Sequence, residues 1–230
     1  MGEHKFNIVE DFKAMARDTN FMLFTVVFSF MFAIYTCLGG TVDFLMEPYH
    51  YSTTDIAICG AGFVVAGMTG AFVIGVLLDR YPKYLLTLRL LVFCCFVVCV
   101  PYFWTLPSGK MWMLLINNIF FGFFALPLIP VGSLFCIEIS FPINEAMSLG
   151  WIIMWSQVVS FGLTYAATAV VKKDPRWEIA LFMVLAIIAV VINIFMKEDL
   201  KRLKARAAKK ESEKSEGSST KDGMEHGGEF

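Results

Sequence analysis

Six apolar runs of roughly 20 residues occupy most of this 230-residue chain, and a helix needs about that many to cross a hydrocarbon core. They extend from Phe21 to Leu45, Ile56 to Leu78, Leu85 to Leu106, Met111 to Leu134, Met147 to Val171 and Glu178 to Met196. The connections carry helix-breaking and charged residues: Glu47-Pro48, Asp79-Arg80-Tyr81-Pro82-Lys83, Leu106-Pro107-Ser108-Gly109, Phe141-Pro142-Ile143-Asn144 and Lys172-Lys173-Asp174-Pro175. The runs are continuous rather than alternating, which favours helices over a barrel. Short connections make successive helices antiparallel neighbours. The expected fold is an all-α membrane protein whose six transmembrane helices fill residues 21–196.

Composition narrows the function classes. The chain is 57% apolar and 17% charged, whereas a soluble domain is about half apolar and a quarter charged. The net charge of −1 averages a nearly uncharged middle with charged ends, so it gives no reason to expect nucleic acid. All six Cys lie in or beside apolar runs, without zinc or redox spacing, and read as small packing residues. The three His are scattered. No metal site, no cofactor and no enzyme activity is expected, since no nucleophile–base pair, phosphate-cradling loop or metalloprotease helix is legible.

Orientation follows from the cations. With a cytosolic N-terminus, 15 of the 19 Lys and Arg lie inside, and only Lys110, Lys172, Lys173 and Arg176 lie outside. Both termini are therefore expected in the cytosol, with the plasma membrane as the default location. Tyr49, Tyr51, Tyr102, Trp104, Trp112 and Trp177 then fall near the outer interface, where amphipathic rings settle. Residues 1–20 read as a cytosolic segment and 197–210 as a basic juxtamembrane helix. That helix either lies along the anionic inner leaflet or simply aids solubility. Residues 211–230 read as a disordered tail.

The second run carries Gly67, Ala71 and Gly75 at four-residue spacing, a face with almost no side chain. A neighbour can approach closely there, either as static packing or as a sliding contact. The sequence Gly75-Val-Leu-Leu-Asp79-Arg80 follows directly. It resembles the Gly-x-x-x-Asp-Arg loop signature of the major facilitator superfamily, which recurs between the second and third helices of each six-helix half. The resemblance implies one half of a major facilitator fold. An aspartate at a helix end can cap a neighbouring helix N-terminus, and an arginine can hold an acid across the cytosolic face. Asp79, Arg80, Glu138 and Glu145 are expected to form a gating latch; the alternative is a solvated, topogenic loop.

A second stretch is more specific. Leu126-Pro127-Leu128-Ile129-Pro130-Val131-Gly132 leads into Cys136-Ile137-Glu138-Ile139-Ser140-Phe141-Pro142-Ile143-Asn144-Glu145, then Ser148-Leu149-Gly150 and Ser156-Gln157. This resembles the feline leukaemia virus subgroup C receptor-related facilitators, in which a Glu-(Leu/Ile)-Thr-Tyr-Pro-x-x-Glu segment ends the fourth helix of the second half. The similarity covers roughly Asn20 to Leu200. It implies the C-terminal six helices of a transporter for choline, ethanolamine or a haem-related solute. It also implies that Gln157, the matching amide, lines the central site. In the first helix the chain has Gly39-Gly40 where the choline-binding members place an aromatic residue.

The residues themselves suggest further candidates. Gln157 lies about mid-membrane at ~1.5 Å per residue, where an amide needs a partner or a cavity. Trp151 and Trp155 are one turn apart, and such rings either hold a quaternary ammonium by cation–π attraction or face lipid. Asp43 is an intramembrane acid that would attract a cation or carry a coupling proton. Asn117 and Asn118 either line a path or bond between helices.

The expected activity is transport of a small solute by alternating access, with lipid bilayer and solute as partners. A missing N-terminal half, or a second copy, would complete the unit. A six-span chain of this kind is expected to be a truncated gene product. The alternative is a non-transporting, regulatory half-transporter that binds a full-length relative.

Overall fold

The structure, a computed structural model, describes residues 8–46, 49, 51–171, 175–197 and 202, with the backbone alone for residues 8, 41–44, 171 and 175. Among the described residues the elements are helical. In order they are α1 (Ile8–Arg17), α2 (Thr19–Met46), α3 (Thr53–Arg80), α4 (Tyr84–Thr105), a single 3-10 turn (Leu106–Ser108), α5 (Met111–Ala125), α6 (Leu128–Ser140), α7 (Glu145–Val171) and α8 (Pro175–Phe195). Six crossings are long and apolar enough to span a membrane, with α5 and α6 forming one of them. This is the expected all-α, six-span membrane protein.

Local chemistry sets the boundaries. Asp18 caps α2, its Oδ1 accepting from the amides of Asn20 (3.0 Å) and Phe21 (3.2 Å). Ser52 and Asp55 form a reciprocal capping box that starts α3. The expected run from 111 to 134 is instead bent and longer, continuing to Ser140. The bend falls at Leu126-Pro127, because Pro127 has no N–H to donate to Phe123 O one turn earlier. Pro130 is tolerated in the first turn of α6, where amides lack intrahelical partners anyway.

The six crossings pair in a repeating way, and, against the expectation from the short connections, the closest pairs are not successive in the chain. The main seams are α2 with α7, α3 with α5 and α4 with α8, followed by α2 with α8 and α4 with α5. Exchanging the first three crossings for the last three maps this set onto itself. The unit is thus two three-helix repeats, the nested arrangement known from facilitator folds. Helix α2 is the most buried crossing and α3 the least.

The two equivalent inner seams close by different chemistry. On α2–α7, Ser156 Oγ donates to Ile152 O (2.6 Å) and accepts from Ser29 Oγ (3.3 Å), while Thr36 Oγ1 pairs with Ser160 Oγ. On α3–α5, glycines admit backbone. A Cβ on Gly70 would stand 2.1 Å from Phe123 O, and one on Gly122 would stand 2.2 Å from Phe63 O. The close approach therefore uses Gly67 and Gly70 rather than the stripe of Gly67, Ala71 and Gly75; a Cβ on Gly75 would meet nothing within 4 Å.

Helix α1 caps one end of the bundle. Met15 and Asp11 are buried, and Phe12 packs edge-on against Trp151 with centroids 5.3 Å apart. At the same end Asn20 Nδ2 donates to Lys197 O (2.8 Å), and Lys197 N–H donates to Asn20 Oδ1 (2.9 Å). Arg89 of α4 donates to the carbonyls of Asn193 (3.2 Å), Ile194 (3.2 Å) and Met196 (2.6 Å), where α8 runs out of intrahelical partners. At the opposite end Tyr51 OH donates to Leu106 O at 3.2 Å. Burial pushes the Tyr51 phenol above its ordinary pKa, so it remains a neutral donor at physiological pH.

Candidate functional site

A cleft of about 430 Å³ opens between α2, α3 and α5. Helix α2 supplies Tyr35, Thr36, Leu38 and Gly39; α3 supplies Gly60, Phe63 and Val64; α5 supplies Asn118. Gly60 and Asn118 are each seven residues from a helix start, about 10 Å deep at ~1.5 Å per residue, and Tyr35 lies deeper. The cleft therefore reaches toward the middle of the bundle.

Its walls are aromatic and its polar groups uncharged. The rings of Tyr35 and Phe63 stack at 5.7 Å, and Phe63 stacks on Phe121 at 6.0 Å. Thr36 Oγ1 donates to Phe32 O at 2.9 Å. Asn118 Oδ1 accepts from Tyr102 OH at 2.7 Å, and its Nδ2 donates to Leu114 O at 3.1 Å. Among the described residues, no Asp, Glu, Lys or Arg lines the cleft. Such a lining can hold an organic cation by cation–π attraction and bond a hydroxyl, but it offers an anion no counter-charge.

Of the expected site residues, Asn118 lies in this cleft. Gln157 does not line it, yet it sits one helical step from Ser160, which pairs with Thr36 of the cleft wall. Gln157 is exposed and makes no hydrogen bond among the described residues. Trp155 and Gln157 project about 200° apart around α7, so they do not form one wall. Trp155 is exposed, whereas Trp151 is buried between Phe12 and Trp155 at the α1 end. The side chain of Asp43 lies outside the described residues, as does Glu47. Tyr102, expected at the interface, is instead 4% exposed, because Asn118 satisfies its hydroxyl.

The cleft residues not foreseen are Tyr35, Thr36 and Phe63. One signal was available: Tyr35 stands four residues before Gly39, so the ring rises on the face that the glycine leaves open.

The four expected latch residues lie at the Arg80 end of the bundle. Asp79 and Arg80 are exposed in the last turn of α3, and neither forms an ion pair among the described residues. Glu145 pairs with Arg202 at 2.6 Å, an exposed contact of small energetic worth. Glu138 is 6% exposed, and its Oε2 has no hydrogen-bond partner among the described residues. Apart from Lys197 and Arg202, the basic segment at 197–210 lies outside the described residues, as does all of 211–230.

A family model described as Major Facilitator Superfamily matches residues 8–223. Among curated relatives, an uncharacterized MFS-type transporter of Caenorhabditis elegans is 29% identical, over 76% of this chain and 30% of its own. The choline/ethanolamine transporter FLVCR2 of Homo sapiens is 27% identical, over 82% of this chain and 36% of its own. Solute carrier family 49 member A3 of Danio rerio is 23% identical, over 86% and 45%. The chain spans about a third of the length of the first curated relatives it matches.

Proposed function

Because the chain belongs to the Major Facilitator Superfamily, we propose that it supplies one six-helix half of a solute transporter, with the α2–α3–α5 cleft as its share of the substrate site. The proposed solute is a small hydroxylated amine of the choline or ethanolamine kind. The cleft lining carries this reading: two stacked rings, a hydroxyl and an amide, without formal charge. Relatives such as FLVCR2, a choline/ethanolamine transporter, agree with it. A haem-related solute fits less well, since its propionates would meet no cationic side chain among the described residues of the cleft.

In this reading a second six-helix unit, an N-terminal half or another copy, closes the cleft and covers Gln157. An amide left facing hydrocarbon would be unsatisfied, at a cost of several kcal/mol. Alternating access then arises from rocking of the two units about the central site. A regulatory, non-transporting half is the competing account, and uptake separates the two.

Cells expressing the chain, alone or with an N-terminal half from a relative, should take up choline or ethanolamine faster than control cells. Tyr35→Leu removes a ring worth about 0.5–2 kcal/mol, or roughly 2- to 30-fold in affinity. Gln157→Ala should also weaken uptake. No uptake by the parent in either setting would sink the transporter reading. Uptake indifferent to both substitutions would sink the site.

The Arg80 end is proposed to face the cytosol, on the strength of the charge bias. Asp79, Arg80, Glu138 and Glu145 would latch that end and release it when it opens. Asp79→Asn is then expected to change the transport rate more than the affinity. Asp79→Cys should react with an impermeant thiol reagent only from the cytosolic side. A change confined to affinity would remove the latch, and labelling from outside would invert the orientation.

A further inference from the structure

Among the described residues, Asn118 is the one carboxamide lining the cleft. A carboxamide has two N–H donors and two acceptor lone pairs. One donor goes to Leu114 O at 3.1 Å, and one lone pair accepts from Tyr102 OH at 2.7 Å. Turning the amide over would set Oδ1 against the Leu114 carbonyl, acceptor to acceptor. The backbone thus fixes which atom faces Tyr102, and Tyr102 must be the donor. One N–H and one lone pair remain. The Cys59 thiol lies nearby, at most a weak partner that a hydroxyl displaces readily.

A hydroxyl is the ligand group that both donates and accepts. The residual pair on Asn118 is complementary to it, in the same cleft as the Tyr35–Phe63 rings. Tyr102 itself does not line the cleft. It is buried in α4, edge-on to Phe121 at 6.0 Å and 90°. That packing gives the phenol one orientation, aimed at Asn118.

We propose that Tyr102 is a positioning residue that locks Asn118, so that the amide reads the hydroxyl of an amine whose cationic head lies on Tyr35 and Phe63. This rests on the substrate reading above. Tyr102 sets which amines are preferred without touching them.

The test is Tyr102→Phe, which keeps the ring against Phe121 and removes only the hydroxyl. Choline and tetramethylammonium share a quaternary head, and only choline carries a hydroxyl. Concentration dependence of choline uptake, with tetramethylammonium as competitor, gives both affinities. Tyr102→Phe should weaken choline about 3- to 10-fold, the worth of one oriented hydrogen bond. Tetramethylammonium affinity and the maximal rate should stay within about twofold, so retained tetramethylammonium binding also reports a folded site. In an Asn118→Leu background, Tyr102→Phe should not change the choline-to-tetramethylammonium ratio further, since coupled residues act as a unit. Equal weakening of both amines, an unchanged ratio in Tyr102→Phe, or full additivity with Asn118→Leu would overturn the positioning role. Absence of choline uptake by the unsubstituted protein would overturn the substrate reading first, and is distinguishable because no substitution is involved.

Discussion

Gly70→Leu is expected to prevent assembly of the bundle, the largest effect of any single change considered. The first atom of a side chain at this position would stand 2.1 Å from Phe123 O, inside van der Waals contact with backbone rather than with a movable side chain. Phe123 lies just before the Leu126-Pro127 bend, and Pro127 leaves that same oxygen without a donor one turn on. Helix α3 would have to move off α5, opening the seam that also holds Gly122 against Phe63 O. Ordinary overpacking costs about 1–3 kcal/mol; separation of two whole helices exceeds that. Gly122→Ala should fail similarly. Gly75→Ala is the control: it meets no neighbour and gains up to about 1 kcal/mol in helix propensity. Yield and thermal unfolding in detergent measure all three. Native yield and melting from Gly70→Leu would show that the seam is not close-packed.

Arg89→Ala is expected to loosen the end of α8. Three carbonyls at the helix C-terminus lose the side-chain donor they share, and a cation leaves the negative end of the helix dipole. A hydrogen bond to a charged group contributes about 1.5–3 kcal/mol. With non-additivity, a total loss of about 3 kcal/mol is expected. Arg89→Lys should recover less than half of it, because a single ammonium cannot span three oxygens as a planar fork does. Thermal unfolding, with hydrogen exchange at Asn193 to Met196, is the measurement. Parent-like melting and exchange for Arg89→Ala would rule out this role.

How much was legible beforehand depended on whether the signal was local. The crossings were readable because about 20 apolar residues in a row have few other uses. Helix α1 was missed as a helix because it is short and mixed in charge. Its apolar residues, Val9, Phe12 and Met15, do follow helical spacing. The bend at Pro127 was visible as a proline, but that the crossing runs on to Ser140 was masked by Glu138, a carboxylate that proves to be buried. The cleft was least legible. Asn118 stood out as polar in an apolar run. Tyr35 and Phe63 did not, since an aromatic residue in a membrane helix looks the same toward lipid, core or cavity. Only the placement of α2 across the cleft from the α3–α5 pair distinguishes them, and that placement is set by contacts far apart in the chain. The same limit explains Trp151: its spacing suggested a binding wall, but α1 folds over it.

The bond between Asn20 and Lys197 joins positions 177 residues apart. An even number of crossings returns the chain to the side it left, and this pair brings it back to the same spot. The six-helix body therefore behaves as a closed module with a single point of attachment. It can be joined to another body by a short tether on one membrane face, without rethreading any helix. A domain with adjacent ends is also one that tolerates insertion into another chain.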